Sequence, residues 1–321
     1  MSDPVAASTV RLSTIVPATN RPATLERCTE AIQAAEDPPD EVIVVDAPAE
    51  AGPAEARNAG ARQATGEVLV FIDADVVVRA DAFRRIRDAF ERDQGLSGVF
   101  GSYDDRPEAP GLVSSFRNLL HHHVHQSSPG PATTFWAGLG AVRRDSFLAA
   151  GGFDERRYRM PSVEDIEFGM RLTAGGEKII LDPDLQGTHL KAWRLGQMVR
   201  TDFSQRGVPW IGLLLRDRGR ASSDLNLGWR HRLSALVCLL GLAGLIRRRL
   251  RVVVAMAIAL VAINRPFYSL LGRRGPGTAL AGVALHALHH LTAAAAVPVG
   301  AITHLLERRR APAAEPEQGS A

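Results

Sequence analysis

Two carboxylates one residue apart, Asp73 and Asp75, follow the apolar run Val68-Leu-Val-Phe-Ile72. At a strand end such a pair can share a hard divalent cation, since Mg²⁺ takes one or two carboxylates and fills its other positions with substrate phosphate oxygens. A cation there holds a diphosphate and stabilises its charge as a leaving group. A second pair, Glu164 and Asp165, opens a stretch with helical spacing at 163–174. Acidic residues in a first helical turn suit the helix dipole. One of them also suits a reaction in which a single base takes a proton from a hydroxyl, a scheme unlike the paired carboxylates of most glycosidases. His189 is either a packed histidine or a third metal ligand beside the aspartates. His121, His122, His123 and His125 read as a surface or acceptor-site loop, because adjacent histidines do not easily face one ion and no cysteine is near. Gly138-Leu-Gly140 is a close approach of backbone to ligand or a plain turn. Arg143 and Arg144 are phosphate-binding forks or a solvated pair.

The elements that position these residues follow from the apolar pattern. Leu12–Val16 is a short buried run stopped by Pro17, and residues 22–35 carry Leu25, Cys28, Ile32 and Ala35 at helical spacing. The run 41–46 is β-branched and continuous, as in a strand buried on both faces. Residues 53–65 read as a helix, Val68–Ile72 as a third buried strand, and 80–92 as an amphipathic helix. Alternating apolar strands and helices predict an α/β fold with a Rossmann-type, mostly parallel sheet flanked by helices. Ligands of such sheets bind beyond the carboxyl ends of the strands, which gathers Asp46, Asp73 and Asp75 in one crevice. Residues 95–160 read as loop-rich, and Lys178–Leu181 as a short strand before His189.

The 321 residues have a mean hydropathy of −0.04 and a formal charge of +3. The average conceals two parts. Residues 1–230 hold 27 Lys/Arg and 32 Asp/Glu, a net of −5, whereas residues 231–321 hold 11 and 3, a net of +8. The apolar fraction of 45 % excludes a disordered chain, and two cysteines exclude a disulfide scaffold. MSDPVAASTV does not resemble a secretory signal. No phosphate-cradling loop, dinucleotide fingerprint or nucleophile elbow is apparent, which argues against kinases, NTPases, dehydrogenases and serine hydrolases. Leu233–Ile246, Val252–Leu271 and Thr278–Leu306 are apolar, and a bilayer span needs about 20 such residues. They predict two or three membrane segments. The preferred arrangement lays Leu233–Ile246 at the interface, keeps Arg247–Arg251 on the cytoplasmic side, and crosses with the other two. Three regions are expected: a catalytic domain over 1–225, membrane-associated helices over 226–310 and a disordered tail over 311–321.

Eight short motifs stand in an order that resembles the family 2 glycosyltransferases of GT-A fold: Ile15-Val-Pro17, Val42-Ile-Val-Val-Asp46, Ala56-Arg-Asn-Ala-Gly60, Phe71-Ile-Asp-Ala-Asp75, Gly138-Leu-Gly140, Gly151-Gly-Phe-Asp154, Val163-Glu-Asp165 and His189. The resemblance covers about residues 11–190. It implies that Pro17, Thr19 and Asp46 contact the base and ribose of a nucleotide-sugar, that Arg57 lies near the nucleotide, and that Asp73 and Asp75 serve the ribose side and the metal. It further implies His189 at the diphosphate or metal, Asp165 as the base, Glu164 assisting, and inversion by direct displacement with Mg²⁺ or Mn²⁺. Trp136, Gly138 and Gly140 are expected near the acceptor. Processive synthases of the family carry Gln-x-x-Arg-Trp; the nearest stretch here, Gln205-Arg-Gly-Val-Pro-Trp210, departs from that spacing. Trp210 is an acceptor-stacking residue or an interfacial anchor. The expected activity is transfer of a sugar from a nucleotide-diphosphate sugar to a lipid-linked or glycan acceptor at the cytoplasmic membrane, with no nucleic acid partner. The alternatives are a processive polysaccharide synthase and an inactive membrane protein that retains the fold.

Overall fold

A computed structural model describes residues 10–49, 51–217 and 228–310. The expected disordered tail and the domain boundary near residue 225 lie outside the described residues. The sheet-forming part runs β1 (Leu12–Pro17), α1 (Leu25–Gln33), β2 (Glu41–Val45), α2 (Pro53–Gln63), β3 (Val68–Ile72), β4 (Val76–Val78), α3 (Ala82–Arg92), β5 (Leu96–Tyr103), α4 (Leu112–Gln126), β6 (Gly130–Ala132), β7 (Leu139–Arg143), α5 (Arg144–Ala149), α6 (Glu164–Ala174) and β8 (Lys178–His189). The strands form one sheet in the order β2-β1-β3-β7-β5-β8-β4, with β6 added on β8. The parallel pairing read from the first three strands holds for β1/β2, β1/β3 and β5/β8. The other four pairings are antiparallel. β7 enters between β3 and β5 and runs against both, so the sheet is mixed.

β2 is not buried on both faces. It is the edge strand, and Val42 and Val44 are more than a third exposed. β-branched residues suit an edge as well as a centre, so composition alone does not separate the two. β3, in contrast, is buried throughout. Two apolar layers close on the sheet, one with Phe83, Ile86 and Phe90 of α3, the other with Phe71, Phe135, Phe147, Phe153 and Phe168. Glycines allow close approach where helices meet strands: a Cβ on Gly60 would lie 2.4 Å from the Ile15 side chain. The stretch 95–160 is far from loop-rich, because it holds β5, α4, β6, β7 and α5. Its histidines sit on α4, a helix whose low content of strong helix formers hid it from periodicity.

The C-terminal part continues with α7 (Leu195–Arg200), a π-helical segment (Thr201–Gly207), α8 (Val208–Arg216), α9 (Trp229–Ile246), α10 (Leu250–Ile263), α11 (Arg265–Gly272) and α12 (Pro276–Arg310). α9 and α12 are long and apolar enough to cross a membrane, while α10 and α11 meet at 88°. Leu233–Ile246 belongs to an 18-residue helix starting at Trp229, and Val252–Leu271 is broken at Asn264. The two parts share a core: Phe116, Leu119 and Trp193 pack with Phe267, Tyr268 and Leu271.

Candidate active site

A cavity of about 1110 Å³ opens beyond the carboxyl ends of β1 and β3. Pro17, Thr19, Arg57, Asp73, Asp75, Trp136, Glu164, Asp165, His189 and Trp210 all line it. Asp46 does not. It is exposed on the edge side, 3.7 Å from Arg21, so the crevice gathers two of the three strand-end aspartates. Gly138 and Gly140 are also absent from the lining. A Cβ on Gly138 would sit 2.5 Å from the Trp136 ring, and one on Gly140 2.6 Å from the Phe135 ring. These glycines make room for aromatic rings, and Trp136 is the side chain presented to the cavity.

Arg57 joins the two acidic pairs. α2 begins with Pro53 at its first position, which suits the unpaired N–H groups there, and carries Arg57 into the interior beneath the site. Its guanidinium donates to Asp73 Oδ1 at 2.6 Å and to Glu164 Oε1 at 3.0 Å, and it lies over the Phe153 ring. A buried forked cation between two carboxylates fixes the end of β3 against the start of α6. Asn58, the next residue, accepts from the Phe153 N–H and donates to the Phe153 carbonyl, holding the Gly151–Asp154 turn against α2.

The two carboxylates at the start of α6 differ in surroundings. Glu164 is buried and committed: one oxygen is on Arg57 and the other accepts from the Ser162 N–H at 2.8 Å. Among the described residues, Asp165 accepts from backbone N–H groups alone, those of Ala137 at 3.2 Å and Ile166 at 2.8 Å. Burial and the neighbouring Glu164 charge, opposed by Arg57, push its carboxyl up to about 7. A carboxyl in that range exchanges a proton readily near neutrality.

His189 ends β8 and faces Asp75. Its Nδ1 lies 2.7 Å from the Asn118 amide oxygen and donates to it, and its ring is stacked on Tyr103 at 4.2 Å. Its Nε2 lies 3.4 Å from Asp75 Oδ2. An imidazole nitrogen and a carboxylate oxygen at that spacing are donors of the kind that share a divalent cation. Oxygen and imidazole donors fit Mg²⁺ or Mn²⁺, and the remaining coordination positions suit substrate oxygens and water. Asp73 is held by Arg57, and among the described residues no three side chains are gathered for a metal. The structure therefore pairs Asp75 with His189 rather than assembling the expected trio.

Several lining residues had no motif to mark them. Tyr103 and Asn118 position His189, and Arg206 joins Gln205 and Trp210 at the cavity despite the departure from the expected spacing. The π-helical segment accounts for this, since extra residues per turn shift which positions share a face. The histidine cluster splits. His121 and His125 line the cavity, His121 against Tyr103 and Trp136, whereas His122 and His125 direct Nδ1 to the carbonyls of Tyr103 and Gly101. Burial holds His125 down at about 4, in its neutral form. Arg143 is no phosphate fork: it donates to the Leu96 carbonyl at 2.8 Å and lies over Phe90. The far wall of the cavity is made of Ile211, Leu214, Ala235, Ala293 and Val297, all from the C-terminal helices.

Residues 47–149 match the model of glycosyl transferase family 2. Among solved structures, a mannosyltransferase from Pyrobaculum calidifontis, determined in complex with GDP-Man and Mn²⁺, aligns over 93 % of this chain and 88 % of its own, with 18 % identity and a TM-score of 0.54. GalNAc-T7, determined with UDP, GalNAc and Mn²⁺, aligns over 64 % of this chain and 48 % of its own, with 15 % identity and a TM-score of 0.44. The first of these shares the fold.

Proposed function

We propose that this chain, whose residues 47–149 match the model of glycosyl transferase family 2, moves a sugar, with inversion, from a nucleotide-diphosphate sugar to a lipid-linked acceptor at the cytoplasmic face of a membrane. One observation carries the reading: Asp75, His189 and Asp165 face a single cavity that Ala235, Ala293 and Val297, with His231, Arg232 and His289, also line from the two helices long and apolar enough to cross a membrane.

Pro17 and Thr19, in the cavity lining, contact the base and ribose in this reading, and Asp73, fixed by Arg57, serves the ribose side. Asp75 and His189 would hold Mg²⁺ or Mn²⁺, which would supply positive charge to the leaving diphosphate. The GDP-Man and Mn²⁺ of the Pyrobaculum enzyme make that donor and that ion the first to try. Asp165 takes the proton from the acceptor hydroxyl as its oxygen bonds to the anomeric carbon and the bond to the nucleoside diphosphate breaks. Its two backbone N–H partners hold the carboxylate in place, and Glu164, bonded to Arg57, fixes the start of α6. Trp136 and Trp210 offer ring faces to the acceptor.

The test is release of nucleoside diphosphate by detergent-solubilised protein, screened over nucleotide-sugars with Mn²⁺ or Mg²⁺ and membrane lipid extract. Metal-dependent release that needs the extract supports the reading. Equal release with a water-soluble glycan alone defeats the lipid-linked acceptor, and no release from any donor defeats the activity.

A further inference from the structure

The apolar helices relate differently to the sheet-forming part. α12 stays in contact along its length with the chain that precedes α9. Arg274, just before α12, donates to the Asp105 carbonyl at 2.8 Å. Further along, Val283 and Leu288 pack on the cluster of Phe116 and Trp193, and His289 bonds Asp202 at 2.8 Å. A Cβ on Gly300 would lie 2.7 Å from Ile211, and at the far end Glu307 pairs with Arg157 at 3.2 Å. At 1.5 Å per residue the helix is about 52 Å long, against about 30 Å of bilayer hydrocarbon. A crossing helix carries one end away from the domain by a bilayer thickness, yet both ends of α12 are bonded to it.

Among the described residues, the α9–α10 hairpin is tied to the rest at its base. Arg230 donates to the Ile263 carbonyl, Asn264 to Ser234, and Val237, Cys238 and Leu260 pack against Ala287 and Leu291. Beyond that, Leu239, Leu245, Ile246, Val254 and Ile258 are exposed. No charged residue lies between Leu233 and Ile246 or between Val252 and Ile263. A helix lying in the interface needs a polar face, and the distal halves of these two have none, so hydrocarbon is the environment that fits them. The 88° bend at Asn264 turns the chain from the direction of α10 into that of α11, back along the domain.

We propose that only the α9–α10 hairpin enters the bilayer core, and that α12, the longest apolar helix, lies in the membrane plane between the catalytic part and the lipid. This rests on the membrane reading above. The hairpin arms are about 27 and 21 Å long, less than about 30 Å of hydrocarbon, and snorkelling of Arg247–Arg251 at the tip with local thinning of the bilayer makes up the shortfall. The charge balance also fits: Arg230, Arg232, Arg265, Arg273 and Arg274 flank the base, five against the four arginines of the tip. Val297 lines the cavity and is also 48 % exposed. A lipid-linked acceptor therefore reaches Asp165 sideways, from the leaflet past α12.

Single-cysteine reporters test this in the full chain, with Cys28 and Cys238 first replaced by Ser and Ala. Gln63→Cys, Arg273→Cys, Arg309→Cys and Arg249→Cys are labelled with a membrane-impermeant maleimide in inverted and right-side-out vesicles. The expected result is that positions 63, 273 and 309 react from one side and 249 from the other. Positions 273 and 309 on opposite sides overturn the in-plane α12, and position 249 on the same side as 63 overturns the crossing hairpin. Alkaline carbonate extraction runs alongside. Release of the chain into the supernatant defeats the membrane reading itself, whereas retention with the wrong labelling pattern defeats only this arrangement.

Discussion

At the scale of single residues, the site works by giving similar side chains unlike surroundings. Glu164 and Asp165 are neighbours, yet one is bonded to Arg57 and the other, with backbone partners, is pushed up to about 7. Turnover is expected to rise as pH increases through about 7 and to level off above it, as Asp165 loses its proton. Asp165→Asn is expected to lower kcat by about 10²–10⁴-fold and to remove that limb, measured by nucleoside diphosphate release across pH 5.5–8.5. The sign for stability is the opposite. A carboxyl raised on folding favours the folded state below its ordinary value near 3.8, and that contribution fades as pH rises to about 7. Thermal unfolding at pH 8 should therefore find Asp165→Asn no less stable than the parent. Asn118 acts through His189. Asn118→Ala is expected to raise the Mn²⁺ concentration for half-maximal activity by about 10–100-fold, in a metal titration at saturating donor. Unchanged metal dependence would mean that His189 needs no support from α4.

At the scale of elements, close approach between backbones decides where the carboxylates point. α6 carries Asp165, and its Gly169 faces the Thr134–Phe135 backbone so closely that a Cβ would lie 2.2 Å from the Phe135 nitrogen. Gly169→Ala must move α6 or the loop that ends in Trp136. It is expected to cost about 1–3 kcal/mol of stability, read by denaturant unfolding, and to reduce turnover as well, because both moving parts line the cavity. The motif pattern made α6, β3 and the Asp73–Asp75 turn legible, since each joins a clear periodicity to a run of polar residues. It did not reveal α4, whose histidines resembled a loop, nor the edge position of β2. Edge and centre differ by what lies alongside, which a single strand's composition does not record.

At the scale of the whole molecule, the two regions that differ in charge are not separate in packing. The aromatic cluster around Phe116 and Trp193 is completed by Phe267, Tyr268 and Leu271, and Asp202 is shared between Arg117 and His289. A chain ending at residue 227 exposes that cluster and leaves Arg117 and Asp202 without His289. It is expected to unfold at a markedly lower temperature than the full protein in the same detergent and to lose the apolar wall of the cavity. A truncated chain that melts at the temperature of the full protein would show that the catalytic part folds alone.

The sequence by itself determined the α/β character, the order of the acidic motifs and the apolar C-terminal region, because strand and helix periodicities and a run of eight motifs are local properties of the chain. Only the tertiary structure decided which acidic residues meet. Asp46 lies outside the cavity, Asp73 belongs to Arg57, and Asp75 is left facing His189. The same holds for α12. Its length and apolarity satisfy the requirement for a span, and what sets it against the domain is bonding at both of its ends, made by residues more than 100 positions away in sequence.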